Sequence, residues 1–313
     1  MKNFLSIEDV ADLGGLLNEA FSLKESPLAK QQLGRGKTLG LIFMNPSLRT
    51  RLSTQKAAYN LGMDVIVMNM SQDSWQLEFA DGTVMDGSTA EHVREAAAVI
   101  SQYCEIVGIR TFAGLSDVTT DYQEQVLKKF VAHAQVPVIS LESATLHPLQ
   151  SLADIMTLSE NLTSPNPKVV LTWAPHPKAL PQAVANSFLQ WARQWDCELL
   201  VTHPKGYELA EEFTKGVPVI HDQDQALEGA DFVYAKNWSS YRPYGQMLST
   251  DRSWTITEEK MSLTNGGRFM HCLPIRRNVV ASDGVIDGSL VIPQAKNRLF
   301  AAQAVIAQIL EHE

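Results

Sequence analysis

The chain has 313 residues, 45% of them hydrophobic, and a formal net charge of -9 at pH 7. That length exceeds one ordinary core and implies two domains of a soluble globular protein. The acidic balance argues against a duplex nucleic-acid binder, whose affinity comes mostly from neutralised phosphates, although a local arginine cluster can still hold a small anion. The 3 cysteines, Cys104, Cys197 and Cys272, show no C-x-x-C spacing. They predict reduced thiols in a cytoplasmic protein, with no disulfide framework and no metal site. No signal-peptide or membrane-spanning pattern is present, so no membrane partner is expected.

In chain order, Ser6-Ile7-Glu8-Asp9 reads as a capped helix start. Residues 38–44 (TLGLIFM) form a buried-strand run punctuated by Asn45-Pro46, and 47–61 is helical in pattern, closed by Gly62. A strand over 64–70, a helix over 91–103 and a strand over 106–110 follow. Then come a helix over 122–134 and a strand over 136–141. The polar stretch 160–167 (ENLTSPNP) reads as a loop of a second domain. The alternation resumes with strands over 169–173, 198–202, 217–221, 232–235 and 269–272. Helices are expected over 182–195, 207–214 and 297–310. Strands alternating with helices predict an α/β fold of two domains, each a parallel sheet flanked by helices. There is no G-x-G-x-x-G or Walker-type loop, which argues against a dinucleotide-dependent oxidoreductase and against an ATP site.

The strongest motif is Ser47-Leu48-Arg49-Thr50-Arg51, between a strand and a helix. A helix N-terminus offers unpaired N–H groups and a positive dipole end to a phosphate. Ser47 and Thr50 add hydroxyls, and Arg49 adds a bidentate charged contact. Taken alone, the segment reads equally well as a solvent-facing capped helix. Three further segments sharpen it: Gly108-Ile109-Arg110, His147-Pro148-Leu149-Gln150 and His271-Cys272-Leu273-Pro274. Together, in this order and over essentially the whole chain, they resemble the aspartate and ornithine transcarbamylase family. The first segment is similar to its Ser-Thr-Arg-Thr-Arg motif, with Leu48 in place of a threonine.

The resemblance implies carbamoyl transfer from carbamoyl phosphate to an amine, without a cofactor. It assigns Ser47, Leu48, Arg49 and Thr50 to the phosphate. Arg110, His147 and Thr50 would polarise the carbamoyl oxygen, and Gln150 with the Cys272 and Leu273 carbonyls would hold the carbamoyl NH₂. Cys272 is read as a carbonyl donor, since no base partner marks it as a nucleophile. The resemblance also implies a carbamoyl-phosphate domain over residues 1–145 with the C-terminal helix 297–313 packing back on it, an acylornithine domain over 146–296, and a homotrimer. Trp75 would reach a neighbouring subunit's carbamoyl-phosphate site.

The acceptor is read from what is missing. The Asp-x-x-x-Ser-Met-Gly segment with which ornithine enzymes hold a free α-amine is absent, and Lys236-Asn237-Trp238 stands in its place. A carboxylate aimed at a neutral acylated nitrogen would be left unpaired at a cost. Lys236-Asn237-Trp238 and Trp173-Ala174-Pro175-His176-Pro177-Lys178 resemble the N-acylornithine branch. That likeness places Lys236 and Arg276 on the α-carboxylate, His176 nearby and Glu142 at the reacting amine. Arg277 stays unassigned. Taken singly, Lys236 reads as a surface lysine, Trp173 and Trp238 as core aromatics and Glu142 as a solvated acid. Acetyl-specific members carry a Glu before the helix near Glu91. Ala90 falls at that position and leaves room and no charge for a succinyl carboxylate. A one-residue shift would put Glu91 there and favour acetyl. N-acetylornithine and, behind it, free ornithine are therefore the alternative acceptors. A non-catalytic sensor would have no need of Arg49, Arg110, His147 and Gln150 together.

Overall fold

The computed structural model describes residues 1–70, 75–162 and 164–312. Two compact units are formed. Unit 1 comprises residues 1–114, 119–149 and 298–313, and unit 2 comprises 115–118 and 150–297.

The N-terminal capping box is real but short. Ser6 and Asp9 exchange hydrogen bonds across a single 3₁₀ turn, Ile7–Asp9. The first full helix, α1 (Leu13–Glu25), starts one step later, under an Asp12 cap on the Gly15 amide. Next come β1 (Thr38–Phe43), α2 (Leu48–Asn60) and β2 (Asp64–Asn69). Gly62 follows α2 with a φ of 84°, where a Cβ would run into the Gln31 carbonyl, so only glycine fits this exit. Two short strands, β3 (Leu77–Glu78) and β4 (Glu91–His92), pair in parallel ahead of α3 (Val93–Ile100). The expected helix over 91–103 thus begins two residues later, because Glu91 and His92 are spent on a strand and the His92 ring caps the Arg94 amide.

β5 (Ile106–Arg110) comes next, and three elements follow it. They are α4 (Val118–Tyr122), α5 (Gln125–His133) and β6 (Val138–Glu142). The expected helix over 122–134 is divided at Glu124, which sits at φ 53°. Sheet order is β2-β1-β5-β6, all parallel. Ile42, Val107, Ile109, Val138, Leu127 and Phe130 pack one face of this sheet against its helices.

Helix α6 (Pro148–Glu160) leads into β7 (Lys168–Trp173), α7 (Ala183–Ala192), β8 (Glu198–Thr202), α8 (Glu211–Thr214) and β9 (Val219–Ile220). Then follow α9 (Gln223–Leu227), β10 (Phe232–Lys236), α10 (Glu258–Met261), β11 (Arg268–Met270), α11 (Asp283–Asp287) and α12 (Val291–Glu311). The second sheet runs β11-β10-β7-β8-β9, again parallel. Its core joins Val170, Leu200, Val233, Phe269 and Ile286. The helix expected over 207–214 contracts to α8, because Tyr207 is buried and its hydroxyl accepts the Leu248 and Ser249 amides. The loop expected over 160–167 begins one residue later, since Glu160 ends α6, and Thr163 lies outside the described residues.

The C-terminal helix packs on the first unit as expected, but it starts six residues earlier, at Val291. Asn60 Nδ2 donates to Gln303 Oε1 at 3.0 Å, Gln303 Nε2 donates to the Pro27 carbonyl at 2.7 Å, and Lys30 meets Glu311 at 2.7 Å. The fold class is the expected one: α/β, with two parallel sheets flanked by helices. Among the described residues, no helix is long and apolar enough to cross a membrane.

Candidate active site

In parallel sheets, ligand-binding residues collect beyond the carboxyl ends of the strands. In unit 1 three adjacent strands deliver side chains there. The turn after β1 carries Ser47, β5 ends on Arg110, and β6 ends on Glu142 with His147 five residues beyond.

Ser47 is the N-cap of α2 with extended backbone, yet its hydroxyl makes no capping hydrogen bond. The first N–H groups of α2, which a capping hydroxyl would accept from, are therefore not spent on Ser47. Leu48, the first helical residue, is 68% exposed, an unusual surface placement for leucine. Arg49 is half-buried. Thr50 is buried, and its Oγ1 accepts from Arg298 Nη2 at 3.4 Å.

Arg110 is buried and held from two sides. Its Nε and Nη2 donate to Glu142 Oε2 at 3.1 and 2.7 Å, and Nη1 donates to the Asn45 and Pro46 carbonyls at 3.1 Å each. Its guanidinium carbon lies 5.0 Å from the Phe112 ring centre. A guanidinium has five N–H donors, and these contacts engage at most four of them. One Nη2 hydrogen can still meet an oxygen. His147 Nε2 is 3.5 Å from the same Glu142 oxygen. Glu142 is thus tied to Arg110 and His147 in unit 1, rather than being the solvated acid its sequence context also allowed.

The turn between Glu142 and His147 is fixed by Glu124. Glu124 Oε1 accepts from Ser143 Oγ at 2.6 Å and from the Thr145 amide at 2.7 Å, while Oε2 accepts from the Ala144 amide at 3.2 Å. Sequence reading missed this residue, and its positive φ is invisible in composition.

Trp75 and Ala90 stand just before β3 and β4, respectively. Trp75 is 57% exposed, and its indole N–H donates to Glu91 Oε2 at 2.8 Å. Ala90 is exposed, and its amide donates to the Gln76 carbonyl at 3.1 Å.

Unit 2 repeats the arrangement with β7, β10 and β11, also adjacent. His176 follows β7, Lys236 ends β10 in register with Trp173, and His271 to Arg276 follow β11. Arg276 Nε donates to His176 Nε2 at 3.1 Å, so a neutral His176 carries its proton on Nδ1 and donates it to the Lys178 carbonyl at 3.0 Å. Burial pushes the His176 pKa below its ordinary value, the Lys178 carbonyl bond opposes this, and the charges of Lys236, Arg276 and Lys178 lower it further. Three cations around a neutral imidazole make a seat for a carboxylate. Arg277 points elsewhere, pairing with Asp283 at 3.0 Å and Asp287 at 2.6 Å. Trp173 and Trp238 are core residues, with their indole N–H groups on the Trp238 and Tyr207 carbonyls.

Gln150, Cys272 and Leu273 belong to unit 2 as well. Gln150 is buried, and its Nε2 donates to Asp154 Oδ1 at 2.7 Å. Cys272 is 8% exposed, and the Leu273–Pro274 peptide is cis.

Residues 2–160 match the family model "Aspartate/ornithine carbamoyltransferase, carbamoyl-P binding domain", and residues 181–309 match its "Asp/Orn binding domain". An N-succinylornithine carbamoyltransferase of Bacteroides thetaiotaomicron is 50% identical over 315 residues, covering 99% of both chains. An N-acetylornithine carbamoyltransferase of Xanthomonas campestris pv. campestris is 38% identical over 335 residues, covering 99% of this chain and 98% of that one. A solved N-acetyl-L-ornithine transcarbamylase variant, with one glutamate changed to alanine, superposes with a TM-score of 0.94 at 38% identity and covers 99% of this chain and 100% of its own. It is complexed with carbamyl phosphate and N-succinyl-L-norvaline. Matches that span both sheets, on a chain whose strand ends carry the family's motifs, leave one conclusion: the chain belongs to the aspartate/ornithine carbamoyltransferase family.

Proposed function

We propose that this chain transfers the carbamoyl group of carbamoyl phosphate to the Nδ amine of N-succinyl-L-ornithine. The products are N-succinyl-L-citrulline and phosphate, in arginine biosynthesis. The observation that carries the succinyl reading is the alanine at position 90, exposed and backbone-bonded, beside a Glu91 whose carboxylate is taken by Trp75. The relative that holds N-succinyl-L-norvaline after a glutamate-to-alanine change supports the same logic, as does the 50% identical N-succinylornithine carbamoyltransferase.

In this reading, residues 1–145 and 297–313 bind carbamoyl phosphate and 146–296 bind the acylornithine. Ser47, the Leu48 amide, Arg49 and Thr50 hold the phosphate. Arg110, His147 and Thr50 stabilise charge on the carbamoyl oxygen. Gln150 and the Cys272 and Leu273 carbonyls hold the carbamoyl NH₂. Lys236 and Arg276 take the acceptor's α-carboxylate beside His176, and Glu142 serves the reacting-amine end through the groups it orients. The neutral amine attacks the carbamoyl carbon, a C–N bond forms, the C–O bond to phosphate breaks, and the departing phosphate takes the amine proton. The donor is already activated, so the scheme needs no cofactor. The enzyme works in the cytoplasm as a homotrimer, with Trp75 lent to a neighbour's site. The exposed row Leu48, Leu52 and Tyr59 on α2 supports a further copy as its cover.

Phosphate release with carbamoyl phosphate and each of N-succinylornithine, N-acetylornithine and ornithine tests this directly. The succinyl acceptor should give the highest kcat/KM. Ala90→Glu should shift the succinyl-to-acetyl ratio toward acetyl by roughly a hundredfold, through like charge and lost space. A parent chain that prefers N-acetylornithine would overturn the acyl assignment. An unchanged ratio in Ala90→Glu would remove position 90 as the selector and leave the substrate standing.

A further inference from the structure

Helix α6 carries a carboxylate that the scheme above does not use. Asp154 is fully buried, one helical turn after Gln150. Its Oδ1 accepts from Gln150 Nε2 and from Gln294 Nε2, each at 2.7 Å. Gln294, also buried, accepts the His271 amide on its own Oε1 at 3.1 Å. The Tyr234 phenol faces Asp154 as well. Burial and then the Asp154 charge hold that phenol well above its ordinary range, so it stays a proton donor toward the cluster.

An ionised carboxylate only accepts hydrogen bonds. An amide in contact with one must therefore turn its NH₂ toward it and its oxygen away. Both glutamines obey this, and Gln294 uses the freed oxygen to seat the first residue of His271-Cys272-Leu273-Pro274. We infer that Asp154 is a positioning residue that sets the polarity of the Gln150 amide and, through Gln294, the seat of the 271–274 turn, so that this unit offers only acceptors to a carbamoyl NH₂. The inference rests on the proposed carbamoyl-phosphate reading. Without Asp154 the Gln150 amide can flip and set donor against donor, and the Cys272 and Leu273 carbonyls lose their anchor.

Acetyl phosphate isolates this effect, because its methyl group replaces the NH₂ and cannot donate. Dissociation constants for carbamoyl phosphate and acetyl phosphate are to be measured on the full chain, on Asp154→Leu, on Asp154→Asn and on Gln294→Leu. The parent should prefer carbamoyl phosphate. Asp154→Leu should cut that preference about tenfold, the scale of a lost hydrogen-bond set, and leave acetyl phosphate within about twofold. Asp154→Asn, whose amide oxygen still accepts, should recover most of the preference; a loss of packing alone would instead weaken both phosphates together. A folded Asp154→Leu with the parental ratio overturns the inference, as does a parent that binds both phosphates equally. If Asp154→Leu does not fold, Gln294→Leu decides: a reduced ratio supports the inference and an unchanged one overturns it. A parent that binds no carbamoyl phosphate strikes the functional reading itself, whereas turnover by the parent with an unaltered ratio in the variants strikes this inference alone.

Discussion

His176 reports on the proposed carboxylate seat because burial, and then the cations around it, hold its imidazole in the neutral form. Its imidazole titrates below its ordinary 6.5, so the folded chain binds fewer protons there than the unfolded chain. The stability it contributes is present above the unfolded value and is lost as pH falls through the lower folded one. Removing a neighbouring positive charge must raise the folded value, and so must adding a negative one. Followed by NMR, the His176 resonance in Arg276→Gln should titrate at higher pH than in the parent. Saturation with N-succinyl-L-norvaline, which lacks the reacting amine, should move it the same way. A ligand that binds without moving the His176 titration would place the α-carboxylate elsewhere. At this scale the motif residues were readable as chemical types: Arg110 ends a strand, as its segment suggested. Glu124, Asp154, Gln294 and Arg298 were not readable, because each acts through a partner that is remote or ordinary in sequence. Gln294 meets Asp154 across 140 positions, and no local pattern encodes such a pair.

Elements hold these side chains, and their errors of boundary have physical causes. Helix α6 passed unpredicted although Pro148 stands at its first position, where a ring with fixed φ and no N–H is at home. Its sequence shows no clean polar face, since Leu149, Leu152, Ala153, Ile155 and Met156 are all buried, and a helix covered on all sides loses the amphipathic signal. The break at Glu124 is the opposite case. A left-handed glutamate costs on the order of 1 kcal/mol, and its carboxylate recovers this by bonding three residues of the turn that delivers His147. Glu124→Ala should therefore lose about 1–3 kcal/mol of stability in denaturant unfolding. It should also lower kcat/KM for carbamoyl phosphate by roughly tenfold, as His147 drifts from its place beside Glu142. Glu124→Gln, which keeps one acceptor oxygen, should fall between the two. Lost stability with unaltered kcat/KM would show that the turn does not position His147.

The molecule as a whole was legible where alternation decides it. Hydrophobic runs separated by helical patterns specified two parallel sheets, because a parallel connection needs a crossover helix. Assembly is different, since a single chain records only the faces it leaves uncovered. Trp75 is such a face: it is more than half exposed, and its indole N–H donates to Glu91 of its own chain. An aromatic side chain of that size gains from burial against a partner. If it completes the site of a neighbouring copy while Arg49 serves its own chain's site, the two defects can be separated. In the proposed trimer, Arg49→Ala should be nearly inactive and Trp75→Ala depressed, with both still assembled as read by light scattering. Unfolded together and reassembled at equal ratio, they should produce mixed trimers in which some sites join an intact Arg49 to an intact neighbouring Trp75. Random mixing in a closed threefold ring restores about a quarter of the sites, which sets the ceiling on recovered activity. Recovery toward that ceiling requires a site shared between copies. Verified mixed trimers that stay inactive would confine each site to one chain and return Trp75 to a role within its own unit, beside Glu91.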